Sequence, residues 1–281
     1  MLKSMRQKKK LFKVLLLFAL IIGGFYNIFP ILWMLFASFK TNTEIFTLPP
    51  RILPNALLLD AYETILTSPE KLRFFLNSYI VSMSVTLLTL AVGIMAGYSF
   101  SRHDFPLKKS LNTFIIATQT IPPITLMIPY FGLIVAFQLY DTYWALIFTY
   151  VVFTLPYAIL MMTGYFNSLS KELDDAACVD GAGGLRVLWT ILVPVALPGI
   201  IATAIYTFML AWNEYLFALT LTRSTSMRTL PIGIQLGMNQ HDWAWNEMMA
   251  MSTLGSLPVI LLLTFFQKYF LQGLSAGAIK S

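Results

Sequence analysis

An all-α, polytopic membrane fold with six transmembrane helices and both termini in the cytoplasm is what this sequence predicts, on three observations. Hydrophobic residues make up 57% of the chain and charged residues 11%, whereas a soluble domain carries about a quarter charged residues. Six stretches each supply the about 20 mostly apolar residues that a helix needs to cross roughly 30 Å of hydrocarbon. The lysines and arginines between those stretches are distributed unevenly, in the pattern that sets membrane orientation.

The chain opens on a basic segment, 1–13, that holds Lys3, Arg6, Lys8, Lys9, Lys10 and Lys13. The first apolar run, Val14–Phe36, exceeds the roughly 7–15-residue core of a secretory signal and reads as a retained helix. Further spans are predicted at Phe74–Phe100, Leu111–Ala136, Tyr143–Asn167, Ile191–Leu221 and Met248–Phe270. An even number puts both termini on one side. With that side cytoplasmic, thirteen of the 19 basic residues lie inside, and positive-inside fixes the orientation. Residues 14–281 then form one transmembrane domain with a cytoplasmic loop at 168–190.

Within the second span Gly93 and Gly97 form a G-x-x-x-G that lets a neighbouring helix approach closely. Pro122, Pro123 and Pro129 crowd the third span and predict an interruption there, since each removes a backbone donor. Pro156, Pro194, Pro198 and Pro258 also fall at membrane depth, where transport proteins tolerate bent helices. The last three spans do not repeat the first three, which removes support for an inverted-repeat carrier.

Several functions are excluded by what the sequence lacks. The net charge of +6 is concentrated in the N-terminal segment and so does not describe a nucleic-acid surface. One cysteine, Cys178, permits no internal disulfide. Gly181-Ala182-Gly183-Gly184-Leu185-Arg186 lacks the lysine and hydroxyl of a phosphate-binding loop, so the chain itself is not an ATPase. His103 and His241 fall on opposite sides of the membrane and cannot share a metal. His241, Asp242 and Glu247 have no nucleophile motif beside them, so no catalytic residue is assigned.

The loop at 168–190 is more ordered in its chemistry than a connector. Ser170 can cap a helix whose first turns carry Glu172, Asp174 and Asp175, where acidic groups favour the free amides. Leu173, Ala176, Ala177 and Asp180 recur at i, i+3, i+4 and i+7 and give a face of mainly small side chains suited to close docking. Gly181 is a natural stop, and Gly183 and Gly184 allow a turn before Leu185–Trp189 resumes as a helix. Physics alone leaves two uses for such an element, docking on a protein or resting on lipid.

Near the end of the fifth span, Trp212-Asn213-Glu214-Tyr215 places an ionisable group at membrane depth, which suggests a pathway or partner role. Trp and Asn can contact a polar ligand by stacking and hydrogen bonding and serve also as packing and hydrogen-bonding groups between helices. These four are the candidate cavity-lining residues.

Asp175-Ala176-Ala177, then Gly181, then Ile191, Val193 and Pro194 resembles the EAA signature of permease subunits in binding-protein-dependent ABC importers, with Asp175 in place of glutamate and Val193 in place of leucine. The likeness continues through Pro30-Ile31-Leu32-Trp33, Ser38-Phe39-Lys40, Asn77-Ser78, Trp212–Leu219, Arg228–Gly233 and Phe266–Gly277, and is similar to the smaller permease of the maltose-type, sugar-importing branch. The resemblance implies an inner-membrane permease subunit forming half of a sugar pathway. Its partners would be a second permease, two ATPase subunits holding ATP and Mg, an extracytoplasmic binding protein and the sugar. The chain would bind no cofactor itself. Asp175, Ala176, Ala177, Asp180, Gly181 and Ala182 would form the ATPase-coupling surface. Thr222–Glu247, with Asn239, Gln240, Trp243, Trp245 and Asn246, would face the binding protein. The alternatives are a permease of the same superfamily for a solute such as glycerol phosphate, and a stand-alone carrier.

Overall fold

A chain that faces lipid must pair its backbone donors and acceptors within itself, and a helix does so residue by residue. The computed structural model describes residues 2–237 and 244–278, with side chains placed for 12–237 and 244–269. All regular structure among the described residues is helical. In order it comprises α1 (Leu2–Ala37), α2 (Asn42–Ile45), α3 (Asp60–Thr67), α4 (Pro69–Arg102), α5 (Lys108–Thr118), α6 (Met127–Ala136) and α7 (Tyr143–Ser168). There follow α8 (Glu172–Val179), α9 (Gly184–Val187), α10 (Val193–Val195), α11 (Leu197–Trp212), α12 (Leu216–Leu221), α13 (Leu230–Leu236) and α14 (Trp245–Ala278).

Four helical segments are long and apolar enough to cross a membrane unbroken: Phe12–Ala37, Pro69–Arg102, Tyr143–Ser168 and Trp245–Tyr269. Two bent pairs qualify if each crosses once, Lys108–Thr118 with Pro123–Ala136 at 96° and Gly184–Val195 with Leu197–Trp212 at 80°. The structure thus supplies four to six spans. The interruption expected of the third lies where Pro122 and Pro123 sit, between α5 and a 3-10 turn at Pro123–Leu126.

The stretch expected to span at 191–221 is not one continuous helix. A π-helical turn at Leu188–Leu192 leads into α10, the chain bends at Ala196, and Pro198 occupies the first turn of α11. Pro198 in the first turn of α11 cannot donate a hydrogen bond back across the bend, which favours a joint at Ala196 over one rod. A second break falls at Asn213–Tyr215.

The chain divides into two compact units. In the first, Met1–Ser68 with Ile234–Leu254, the Lys40 side chain is buried, donates to the Arg51 carbonyl at 2.5 Å and lies 4.9 Å from the Trp33 ring centre. The Ser38 hydroxyl meets that of Tyr62 at 2.7 Å. Trp245 packs edge-on against Phe46, and the Asn246 amide donates to the Asn42 side chain at 3.1 Å.

In the second unit, Pro69–Gly233 with Gly255–Ser281, α4 lies along α7 and α11 packs against both. The G-x-x-x-G stripe makes the first contact possible. A Cβ on Gly93 would sit 3.0 Å from the Cβ of Ala158, and one on Gly97 only 2.6 Å from that of Met162. Two threonine hydroxyls, Thr89 and Thr154, meet across the same seam at 2.8 Å. Removing two side chains lets the backbones approach, and dispersion then acts along the whole contact.

At one end of this pair the Asn77 amide donates to the carbonyls of Ser226 and Arg228, at 2.8 and 2.7 Å, while its oxygen accepts from the Tyr143 hydroxyl at 2.7 Å. The Asp141 carboxylate accepts from the amides of Arg223 and Ser224 at 2.8 and 3.0 Å. The segment 222–229 is thereby fastened to the ends of α4 and α7.

Candidate functional site

The loop between α7 and α11 folds as a helix, a turn and a helix. The Ser170 hydroxyl accepts from the Glu172 amide at 3.2 Å, and three carboxylates occupy the first turn of α8. Gly181 has φ of +81°, a region that costs a residue with a Cβ about 1–2 kcal/mol. Around it the amide of Gly181 donates to the Cys178 carbonyl and that of Ala182 to the Ala177 carbonyl, both at 3.0 Å, which satisfies the helix end.

Beneath this loop lies one apolar cluster. Ile94 and Tyr98 of α4 and Met162 and Phe166 of α7 pack with Ala177, Val187, Leu188, Leu192 and Ala196. The expected docking face therefore divides. Ala177 is turned inward at 5% exposure, so its close approach is to this chain's own core, and Ala182 is half-buried against the same cluster. Asp175, Ala176, Asp180 and Gly181 stay exposed, with Leu173 beside them. Val179 at 87% exposure and Leu185 at 69% add apolar surface outside the face formed by Leu173, Ala176, Ala177 and Asp180. The result is a platform, acidic and apolar on its outer face, whose underside is continuous with the packing of α4 and α7.

A residue that sequence reasoning counted only as a positive charge organises this platform. The Arg102 guanidinium, its side chain 6% exposed at the end of α4, donates from Nε to the Asp174 carboxylate at 3.0 Å. Its Nη1 reaches the Phe166 carbonyl at 2.8 Å and the Ser101 hydroxyl at 3.1 Å, and its Nη2 reaches the Leu169 carbonyl at 3.2 Å. Phe166 and Leu169 lie at the C-terminal end of α7, where helix carbonyls lack partners and a cation is favoured. The available signal was an arginine closing the second span and an acidic helix opening the loop at 168–190, which sequence spacing alone does not join.

The second candidate group lies at the break between α11 and α12. Of the four residues, Glu214 lines a cavity of about 200 Å³, with Tyr150, Phe153, Thr154 and Phe217 among its walls. Trp212 is buried instead, stacked on Phe208, edge-on to Tyr79, with its indole N–H donating to the Gly255 carbonyl at 3.0 Å. The Asn213 amide turns back to the Met209 carbonyl at 2.8 Å, and Tyr215 is half-buried just before α12. The Glu214 carboxylate accepts from the amides of Phe217 and Ala218, at 2.8 and 3.0 Å, and from the Tyr150 hydroxyl. In an unbroken helix those two amides would bond to the carbonyls of residues 213 and 214. The side chain takes over both bonds, which caps α12 and stabilises the break.

His103 packs its ring edge-on against Tyr98. His241, Asp242, Asn239, Gln240 and Trp243 lie outside the described residues.

Residues 89–276 match the family described as "Binding-protein-dependent transport system inner membrane component". The chain is 34% identical over 254 residues to the sulfoquinovosyl glycerol transport system permease protein of Agrobacterium fabrum, covering 90% of this chain and 89% of that one. It is 34% identical over 272 residues to the trehalose/maltose transport system permease protein of Thermococcus litoralis, covering 95% and 97%. In fold it is similar to a chain of a bacterial ABC transporter involved in the import of the acidic polysaccharide alginate, with a TM-score of 0.81, 20% identity, and coverage of 94% and 98%.

Proposed function

The chain belongs to the family of binding-protein-dependent transport system inner membrane components, and from that premise we propose that it forms half of the sugar pathway of a bacterial ABC importer. The sugar assignment is supported by relatives whose names specify trehalose/maltose and sulfoquinovosyl glycerol. In this reading the chain crosses the cytoplasmic membrane six times with both termini inside, each bent pair making one crossing. A second permease completes the pore, two ATPase subunits with their ATP and Mg bind from the cytoplasm, and an extracytoplasmic binding protein delivers the sugar.

The observation that carries the coupling role is the division of the platform. Asp175, Ala176, Asp180 and Gly181 are exposed while Ala177, Val187 and Leu188, a few residues away, are built into the core of α4 and α7. A partner seated on the outer face would move the packed helices with it, because close-packed interiors transmit displacement. Glu214 lines the cavity and shapes the break, and Trp212 supports it from within.

Affinity purification of the tagged chain from its native membrane in mild detergent, with mass spectrometry of what accompanies it, tests this reading. Co-purification of an ATPase and a second permease is expected. A chain that comes alone under progressively milder extraction would return a stand-alone carrier to the front.

A further inference from the structure

α8 has eight residues, too few to hold its shape or place without tertiary contacts. Among the described residues, two contacts tie it to α4 and α7. The first is Ala177 in the apolar cluster, the one buried residue of the helix. Apolar burial is non-directional and leaves a small helix free to slide or rotate about that point. The second is Asp174 on the Arg102 guanidinium, which in the same fork grips two carbonyls at the end of α7. A guanidinium fork is planar and directional, so it specifies where its partners lie.

Three elements therefore meet on one buried cation: the end of α4 through Arg102 itself, the end of α7 through the carbonyls of Phe166 and Leu169, and α8 through Asp174. Adjacent carboxylates on α8 have opposite fates, Asp174 inward on the clamp and Asp175 outward on the exposed face. We infer that Arg102 is the positioning residue that makes α8 move as one body with α4 and α7, so that a displacement imposed on the exposed face reaches the membrane helices undiminished. This rests on the reading of α8 as the element an ATPase engages.

The test uses the complex purified through a tag on this chain. Cys178 is the sole cysteine of the chain and is exposed on α8, so Leu87→Cys on the exposed surface of α4 completes a pair for nitroxide labelling. In the parent, the distance between the two labels is a single narrow distribution that ATP with vanadate leaves in place. In Arg102→Gln and in Asp174→Asn it broadens and shifts on trapping, while the ATPase still co-purifies because Asp175, Val179 and Asp180 are untouched. A narrow, unmoved distance in both variants with the ATPase bound would overturn the proposal.

Asp174→Asn is nearly isosteric and decides the matter alone if Arg102→Gln does not insert. Asp175→Lys separates the two ideas. If it leaves ATPase co-purification unchanged, the platform reading falls and the clamp falls with it. If it releases the ATPase while both clamp variants keep the parent distance, the clamp alone falls.

Discussion

The α4–α7 pair and the run from α9 to α12 are made of similarly apolar sequence, yet one is two unbroken helices and the other is three pieces, Gly184–Val195, Leu197–Trp212 and Leu216–Leu221. Along the pair, glycines at 93 and 97 remove side chains so that two rods touch, and Pro156 sits inside α7 without ending it. Along the run, Pro198 withholds a donor just after the bend at Ala196, and the carboxylate of Glu214 takes the place of two helix carbonyls at the break before α12. A small residue or a proline thus does not determine its own consequence. The neighbouring surface decides whether a lost donor is absorbed or becomes a joint.

The strongest way to break this comparison is at the pair. Gly97→Leu must push apart a contact already at 2.6 Å for a bare Cβ, costing about 3 kcal/mol or more by overpacking. Loss of a monodisperse, inserted protein in detergent is expected, and normal yield would mean the pair is more pliable than its packing suggests. Gly181→Val comes next. Its φ of +81° is strained for a β-branched residue, so insertion should persist while transport is lost, as read by uptake in cells against membrane abundance. Normal uptake would remove Gly181 from the coupling surface.

A smaller effect is expected at the second joint. Glu214→Gln keeps one acceptor oxygen where the carboxylate serves two amides and the Tyr150 hydroxyl, so about 1 kcal/mol is lost, the scale of a helix cap. A lowered melting temperature with α11 and α12 still separate is the anticipated outcome. An unchanged melting curve would show that the prolines and packing alone hold the break.

The smallest effect lies in the connector that precedes α7. Burial raises the Asp141 carboxyl, but the amides and side chain it meets at Arg223 and Ser224 more than offset this and hold it below its ordinary range. A folded pKa below the unfolded one means stability that is complete above the ordinary carboxylate range and is lost as pH falls through the folded value. Asp141→Asn should therefore melt slightly below the parent at neutral pH, and the two curves should converge in acid. A difference that stays constant with pH would assign the effect to hydrogen-bond geometry instead of charge.

Much of the fold was legible beforehand. The predicted second and fourth spans lie within a few residues of α4 and α7, and residue type alone predicts the interruption at Pro122–Pro123 and the turn at Gly181. The candidate surface at 175–182 was legible as a helix and a stop, but not in its orientation. Ala176 and Ala177 are identical in type, and only the cluster around Phe166 and Leu188 selects the second for burial. Residue type likewise makes Trp212 and Glu214 functional candidates but carries no sign that one is buried against Gly255 and the other caps α12.

By itself the sequence determined that this chain is helical and membrane-bound, because lipid demands that each span satisfy its backbone locally and the apolar residues that make a span lie together in the chain. It also marked Gly181 as the stop of α8, since a residue without a Cβ enters the left-handed region freely, whereas Leu107, Gln138 and Asp141 adopt the same region without any such mark in the sequence. Only the tertiary structure decided that Arg102 and Asp174, 72 residues apart, share one buried site, and that a carboxylate in place of two carbonyls marks a joint. Those outcomes depend on the directional hydrogen bonding of groups brought together by packing, which neither composition nor periodicity records.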